Sequence, residues 1–114
     1  GPMMGSSMSD VNVPVAKATN NIFVLTKNQV KDLLPKACIR CARCINVCPV
    51  GLMPRMIALL TQKGIIKEAE KYFPLECKEC GCCSYVCPSK IPLVQLIQFA
   101  KTDITARQKE QKAK

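Results

Sequence analysis

The sequence has no histidine and no tryptophan, and its aromatic residues are three phenylalanines and two tyrosines. Without histidine the chain cannot supply the ligands of a Rieske centre or a Cys/His zinc finger, or the base of most nucleophilic triads. So few aromatic side chains also disfavour stacking against single-stranded nucleic acid. We therefore expect no catalytic site and no nucleic-acid partner.

Long apolar runs are also absent. No 18 consecutive residues are apolar and uncharged, because Arg55, Gln95 and Gln98 interrupt the best candidates. A membrane-spanning helix needs such a run, so we expect none. The first residues, GPMMGSSMSD, lack the basic start and apolar core of a secretory signal. We therefore expect that the chain is not secreted into an oxidising compartment and that its cysteines do not form a disulfide framework.

Positive charge and cysteine are abundant instead. The formal net charge is +9, a value that often indicates nucleic acid or anionic lipid as a partner. Nine cysteines in 114 residues suggest that a metal stabilises the small core that such a length allows. The odd cysteine count also argues against complete disulfide pairing.

Eight of the cysteines form an internal repeat with an offset of 39 residues. The first copy, Cys38, Cys41, Cys44, Cys48 and Pro49, maps without a gap onto Cys77, Cys80, Cys83, Cys87 and Pro88. After each proline, apolar residues recur at helical spacing, at Leu52, Met56, Leu59 and Leu60 and again at Leu93, Leu96, Ile97 and Ala100. Each copy is therefore predicted to be a cysteine loop followed by a helix.

The spacing C-x2-C-x2-C-x3-C-P is the bacterial signature of 4Fe-4S ligation, in which the fourth cysteine serves the other cluster. Short gaps let a tight loop place three thiolates on one cubane while backbone N–H groups donate to sulfur. We therefore predict that Cys38, Cys41, Cys44 and Cys87 bind a first cluster and that Cys77, Cys80, Cys83 and Cys48 bind a second. Two such clusters, at about −2 each, would bring the chain to roughly +5.

The alternative for these cysteines is a pair of structural zinc sites, because C-x2-C pairs also bind zinc. Zinc ribbons, however, have no use for a third cysteine at the same spacing or for the terminal Cys-Pro. Cys82 aligns with Arg43 and is predicted to be a free thiol beside a cluster, with a role as a replacement ligand as the alternative. Arg40 and Arg43 correspond to Glu79 and Cys82, so we predict the higher reduction potential at the first cluster.

The pattern divides the chain into three segments. Residues 1–26 are predicted to be an extended or hairpin arm, a linker from a preceding domain, or a disordered leader. Residues 27–101 are the predicted double-cluster domain. Residues 102–114 are a charged tail, either a solvated helical extension or a frayed end.

Several local signals predict where helices begin and end. Thr26-x-x-Gln29 is typical of a capping box and precedes Val30, Leu33 and Leu34, and Pro35 should stop that helix. The remaining signals are Pro54 and Pro92 near first turns, Gly64 after the end of a helix, and a short helix over residues 65–72.

The segments CIRCARCINVCPVGLMPRM and CKECGCCSYVCPSKIPLVQLIQFAK, with the helices expected between them, resemble the ferredoxin module of the C subunit of the Rnf complex, the ion-translocating ferredoxin:NAD oxidoreductase. Upstream, GPMMG and DVNVPVAKATNNIFVL resemble the segment that joins this module to the preceding domain of that subunit. Gly1-Pro2 is then either native or a cloning scar. The resemblance covers about residues 1–101.

The resemblance implies an α-helical ferredoxin fold with two 4Fe-4S clusters in a pseudo-twofold repeat. It implies a one-electron relay in an ion-pumping, membrane-associated complex, with the other Rnf subunits as partners. The FMN and NAD sites would lie on the missing part of the parent subunit. The chain would be a peripheral component at the cytoplasmic face of the membrane, where its basic residues could approach anionic lipid.

Two other functions are compatible with parts of the pattern. Similar cysteine modules occur in fumarate reductase, heterodisulfide reductase and anaerobic glycerol-3-phosphate dehydrogenase subunits, so a heterodisulfide- or quinone-linked reductase is one alternative. A basic nucleic-acid-binding protein with structural clusters is the other.

Overall fold

The computed structural model describes residues 3–5, 8, 10–30 and 34–112. Within these ranges all regular structure is helical and no strand is found, which confirms the predicted mainly α fold. The elements are α1 (Lys27–Val30), α2 (Arg43–Asn46), α3 (Pro54–Gln62), α4 (Ile66–Glu70), a 3₁₀ turn (Pro74–Glu76), α5 (Cys82–Tyr85) and α6 (Leu93–Lys112). In the described part of the chain, no helix combines the length and the apolar character that a bilayer crossing requires.

The sequence repeat is also a repeat of local backbone conformation. Helices α2 and α5 have the same length and begin 39 residues apart. Helices α3 and α6 also begin 39 residues apart. Three further pairs of equivalent residues adopt positive φ in both copies. These pairs are Arg40 and Glu79 (57° and 55°), Ala42 and Gly81 (60° and 78°), and Gly51 and Lys90 (64° and 51°).

Helix α3 begins and ends where the sequence predicts. Pro54 occupies its first turn, and Gly64 follows its end at φ 72°. The Gly64 N–H donates to Thr61 O (3.0 Å) and the Ile65 N–H donates to Leu60 O (2.9 Å), which is the Schellman arrangement. Because Ile65 completes this motif with non-helical φ and ψ, α4 begins at Ile66, one residue later than predicted.

The core lies where α3 packs against α6, with α4 covering both helices. Ile57 of α3 and Ile97 of α6 are fully buried, and Ile66 and Ala69 of α4 add further apolar surface. Burying side chains as large as isoleucine stabilises the fold by about 1.5–3 kcal/mol each. This core holds the two cysteine loops on a common helical support.

The tail does not separate from the domain at residue 102, because α6 continues to Lys112. Ile104 is only 2% exposed, and the Gln108 side chain donates to Glu70 Oε1 at 3.4 Å. Ile97, Ala100 and Ile104 share one face of the helix at i, i+3 and i+7 spacing, so the core-facing stripe extends past the predicted boundary. Helix α6 therefore runs on through the segment predicted to be a tail, and Ile104 within that segment is buried.

The segment before the domain is exposed throughout residues 10–30. The Thr26 N–H donates to Gln29 Oε1 at 2.9 Å, as the capping-box pattern predicts, and α1 follows directly. The hairpin alternative is wrong for residues 10–26, where no strand occurs; an isolated two-stranded hairpin is only marginally stable in water. The predictions for Gly1-Pro2 and Leu33 fall outside the described residues.

Candidate metal centres

The first cavity has a volume of about 190 Å³ and is lined by all four cysteines predicted for the first cluster: Cys38, Cys41, Cys44 and Cys87. Cys38 and Cys41 lie in the loop before α2, Cys44 lies in α2 itself, and Cys87 follows α5. Cys41 is exposed, while Cys87 is buried. The cavity therefore lies close to the surface on the side of the first loop.

The second cavity is lined by the other predicted quartet, Cys48, Cys77, Cys80 and Cys83, and its volume is about 20 Å³. Its remaining walls are mainly apolar and include Leu52, Val94 and Ile97. The structure thus brings each quartet together crosswise, with one cysteine of each set coming from the opposite copy. That these cysteines bind metal remains a prediction.

Ser89 joins the two copies next to the first cavity. The Lys36 N–H donates to Ser89 O at 2.8 Å, and the Ser89 hydroxyl donates to Ala37 O at 2.8 Å. Ser89 is buried and lies two residues after Cys87, the last cysteine of the second motif. Its partner Ala37 lies one residue before Cys38, the first cysteine of the first motif. These two hydrogen bonds place the ends of the two motifs side by side.

Backbone N–H groups point at cysteine sulfurs, as the tight loops lead us to expect. The Arg40 N–H donates to Cys38 Sγ and the Glu79 N–H donates to Cys77 Sγ, both at 3.4 Å. Both donors, Arg40 and Glu79, also adopt positive φ, so the two copies share the same local backbone at this position. A third backbone donor, the Leu52 N–H, lies 3.3 Å from Cys48 Sγ.

Arg55 contacts one of the predicted ligands, although the sequence did not single it out for this role. Its Nε donates to Cys38 Sγ at 2.9 Å, across 17 residues of sequence. In the sequence, Arg55 stands out only as a charge that interrupts an apolar run. The repeat register could have identified it, because Val94 stands at the equivalent position of the second copy.

The thiols differ in how easily they lose a proton. The Arg40 N–H, and then the Arg55 guanidinium, lower the pKa of the Cys38 thiol. Burial raises the pKa of Cys44 and of Cys77, and it raises the pKa of Cys83 to about 11. Because metal is bound by thiolate, loading the second cavity at neutral pH must release the Cys83 proton.

The second loop is held by α6. Lys101 forms an ion pair with Glu79 and also donates to Cys77 O at 3.0 Å. Gln98 donates to the other Glu79 oxygen at 2.8 Å. Lys101, followed by Gln98, lowers the pKa of the Glu79 carboxyl. The first copy cannot form the same ion pair, because Arg40 occupies the Glu79 position there.

Gly81 and Cys82 lie beside the second cavity. A Cβ on Gly81 would collide with Met3 O, so the N-terminal segment covers this loop closely. Cys82 is half-buried and is not among the described residues that line either cavity, in keeping with its place outside the ligand pattern. A hydrogen bond with Cys80 raises the pKa of Cys82.

The donor chemistry of the two cavities fits a 4Fe-4S cluster in each. Each cavity offers four thiols with N–H donors at one or two of the sulfurs, and apolar side chains form much of the wall. Four cysteines are the usual ligand set of such a cluster, and N–H donors to sulfur tune it. Within the described residues, no three cysteine or acidic side chains are close enough to hold a single metal ion.

Comparison with known proteins agrees with this donor set. The 4Fe-4S dicluster domain family matches residues 31–88, which is half of the chain and contains all eight predicted ligands. This match sets aside the zinc alternative.

Curated relatives confirm the resemblance that the sequence suggested, because all three described here are C subunits of ion-translocating complexes. That of the proton-translocating ferredoxin:NAD(+) oxidoreductase complex of Clostridium ljungdahlii is 44% identical over the whole chain. That of the Na(+)-translocating ferredoxin:NAD(+) oxidoreductase complex of Acetobacterium woodii is 41% identical over 96% of it. That of the ion-translocating oxidoreductase complex of Rhodobacter capsulatus is 43% identical over 95% of it.

The chain spans only about a quarter of the length of these relatives, 25% for the first two and 21% for the third. The similarity therefore concerns one module of a longer subunit. Cysteine spacing, cavity lining and the family match agree, and the chain belongs to the family of 4Fe-4S dicluster domains, with 4Fe-4S clusters as its cofactors.

Proposed function

We propose that the chain holds one 4Fe-4S cluster in each cavity and passes single electrons through them. The observation that carries this proposal is the crosswise gathering of cysteines, in which each cavity takes three from one loop and one from the other. When bound, 4Fe-4S clusters supply one-electron redox chemistry. The chain itself supplies the ligands, the spacing and the surroundings that set the potentials.

In this proposal Cys38, Cys41, Cys44 and Cys87 hold the first cluster, and Cys77, Cys80, Cys83 and Cys48 hold the second. Cys48 and Cys87 each end one loop and begin the link to the following helix. Because each belongs to the opposite site, the two clusters are tied together in a pseudo-twofold arrangement. Loss of either cysteine would disturb the cavity that lies across from its own loop.

The exposure of the two cavities indicates which of them exchanges electrons with partners. Cys41 of the first cavity is exposed, whereas the second cavity has only half-buried and buried cysteines. A cluster near the surface can approach an external donor or acceptor, while a buried one exchanges with its neighbour. The first cavity is therefore the point of entry or exit at the surface of this module.

The relatives support a role for this relay within a larger complex. Their names describe the C subunits of ion-translocating ferredoxin:NAD(+) oxidoreductases. By this similarity, the partners of the chain are the other subunits of such a complex, and flavin and nicotinamide bind on the rest of its own parent subunit. The module would lie at the cytoplasmic face of the membrane as a peripheral part, where its net positive charge favours anionic lipid.

Anaerobic reconstitution tests the proposal. We expect about eight irons and eight sulfides per chain, and spin-coupled EPR signals from the protein reduced with dithionite. The matched control is Cys82→Ser, which should bind the same amount of iron because Cys82 lines neither cavity. A protein that takes up zinc, refuses iron and remains colourless under these conditions would contradict the proposal.

A further inference from the structure

The surroundings of the two cavities differ sharply in charge. Three guanidinium-bearing residues line the first cavity: Arg40, Arg43 and Arg55. Among the described residues that line the second cavity, the only charged one is Lys78. The nearby Glu79 is neutralised by its ion pair with Lys101. A negative charge added to the first cavity is therefore better compensated than one added to the second.

Arg55 differs from the other two arginines because it touches a ligand sulfur. Its Nε lies 2.9 Å from Cys38 Sγ and its side chain is half-buried, while Arg40 is exposed. Solvent and salt screen exposed charges more strongly than partly buried ones. Hydrogen bonds in which one partner is charged are also about twice as strong as neutral ones. Arg55 should thus act on the first site more than its neighbours do.

The second site has a different side chain at the equivalent position. Val94 occupies the Arg55 position of the repeat, lines the second cavity and is 3% exposed. The second copy keeps the backbone donor at Cys77 but has an apolar side chain where the first copy has a guanidinium. The repeat therefore provides an internal comparison in which the loop backbone is the same and the side-chain donor to this sulfur is present in only one copy.

We propose that Arg55 raises the reduction potential of the cluster in the first cavity by donating from Nε to Cys38 Sγ, so that an electron taken up by the chain rests preferentially there. This inference rests on the proposed function. In the step concerned, one electron from an external one-electron donor enters the cluster, whose charge becomes one unit more negative, and no bond forms or breaks. A nearby cation and an N–H donor stabilise the more negative state more strongly, which raises the potential.

The test is a redox titration of the reconstituted 114-residue chain, followed by EPR. The potential that disappears in Cys87→Ala identifies the first cluster. We expect Arg55→Gln to lower the potential of that cluster by about 59 mV, which for one electron is a tenfold change in the equilibrium constant for electron transfer between the clusters. The second potential should stay the same.

Two further variants separate tuning from folding. Arg55→Lys keeps the charge but loses the planar donor. We expect it to lower the first potential less than Arg55→Gln does, which corresponds to a change of about threefold in the equilibrium constant for electron transfer between the clusters. Arg107→Gln removes the same charge from the far end of α6, where Arg107 pairs with Asp103, and it should change neither potential. If Arg55→Gln fails to bind iron, Arg55→Lys alone decides.

The outcomes are distinct. Iron-loaded Arg55→Gln and Arg55→Lys proteins with unchanged potentials would overturn this inference and leave the proposed function standing. Equal shifts at both clusters would also overturn it, because a general loosening of the fold acts on both. A wild-type chain that does not bind about eight irons would overturn the proposed function and this inference together.

Discussion

The two cysteine loops have the same backbone but very different surroundings. The first loop is mostly exposed and three arginines line its cavity, whereas the second loop is covered by α6 and by the backbone of Met3. Ligand geometry depends on loop conformation, and potential and access depend on what surrounds the loop. The comparison shows that the two copies share a loop conformation and differ in charge and exposure around it.

The shared backbone is maintained at a cost. Arg40 and Glu79 are not glycines, yet both adopt positive φ, which costs roughly 1–2 kcal/mol for a residue with a Cβ. The same is true of Ala42 in the first loop and Lys90 after the second. Conformations of this kind persist where the structure needs them, and here they occur in or next to the loops whose N–H groups donate to Cys38 and Cys77.

The largest expected effect comes from removing the cysteine that each copy gives to the other. Cys87→Ala should reduce the iron content to about four per chain by emptying the first cavity, and Cys48→Ala should do the same by emptying the second. Iron counting and EPR of the reduced proteins measure this, because spin coupling disappears when only one cluster is left.

The identity of the surviving cluster then tests the crosswise assignment. In the Cys48→Ala background the remaining potential should respond to Arg55→Gln, and in the Cys87→Ala background it should not. The opposite dependence would show that each loop uses its own Cys-Pro cysteine.

A smaller effect is expected at the position where the two loops differ in glycine content. Gly81→Ala should lower the free energy of unfolding by about 1–2 kcal/mol, because φ is 78° and a Cβ would collide with Met3 O. Ala42→Gly should raise it by about 0.5 kcal/mol, because relief of positive φ slightly exceeds the added freedom of the unfolded chain.

Midpoints of anaerobic thermal unfolding of the iron-loaded proteins measure both changes. A lower midpoint for Gly81→Ala and a higher midpoint for Ala42→Gly would support the conclusion that the two loops share a positive φ at this position. If Gly81→Ala were neutral, close coverage of the second loop by the N-terminal segment would be wrong.

The smallest effect concerns the ion pair that holds the second loop to α6. Glu79→Gln should lower the free energy of unfolding by about 1 kcal/mol, since the pair is partly buried with side chains 33% and 24% exposed. Because Lys101 lowers the pKa of Glu79, this contribution is complete at neutral pH and is lost as the pH falls through the folded-state pKa.

The matched control is Glu68→Gln, which breaks the more exposed pair with Lys71 and should change stability much less, because water and salt screen an exposed pair. Equal effects of the two substitutions in denaturant unfolding would show that Glu79 does not hold the second loop.

Features that depend on spacing could be predicted from the sequence. The repeat predicted which cysteines share a cavity, because two- and three-residue gaps restrict what a tight loop can reach. Pro54 and Gly64 predicted the start and the end of α3, because their backbone preferences act locally. The arm was less predictable, because apolar alternation near Val13 implies a strand only if a partner strand is available.

Features that depend on how helices pack could not be predicted from spacing. The contact of Arg55 with Cys38 requires α3 to lie against the first loop, which no local pattern specifies. The burial of Ile104 depends on how α6 packs against α3 and α4, which a single apolar residue in a charged segment does not reveal. Comparing the two copies position by position would have drawn attention to Arg55, since Val94 is its counterpart.

The most direct test of the central claim is diffraction at the iron absorption edge from crystals of the chain that are grown without oxygen. The account predicts a four-iron cluster in each cavity, with Cys87 Sγ bonded to iron in the first and Cys48 Sγ bonded to iron in the second. Single ions in the cavities, or iron in a cavity that lacks a bond to the cysteine from the opposite loop, would contradict it.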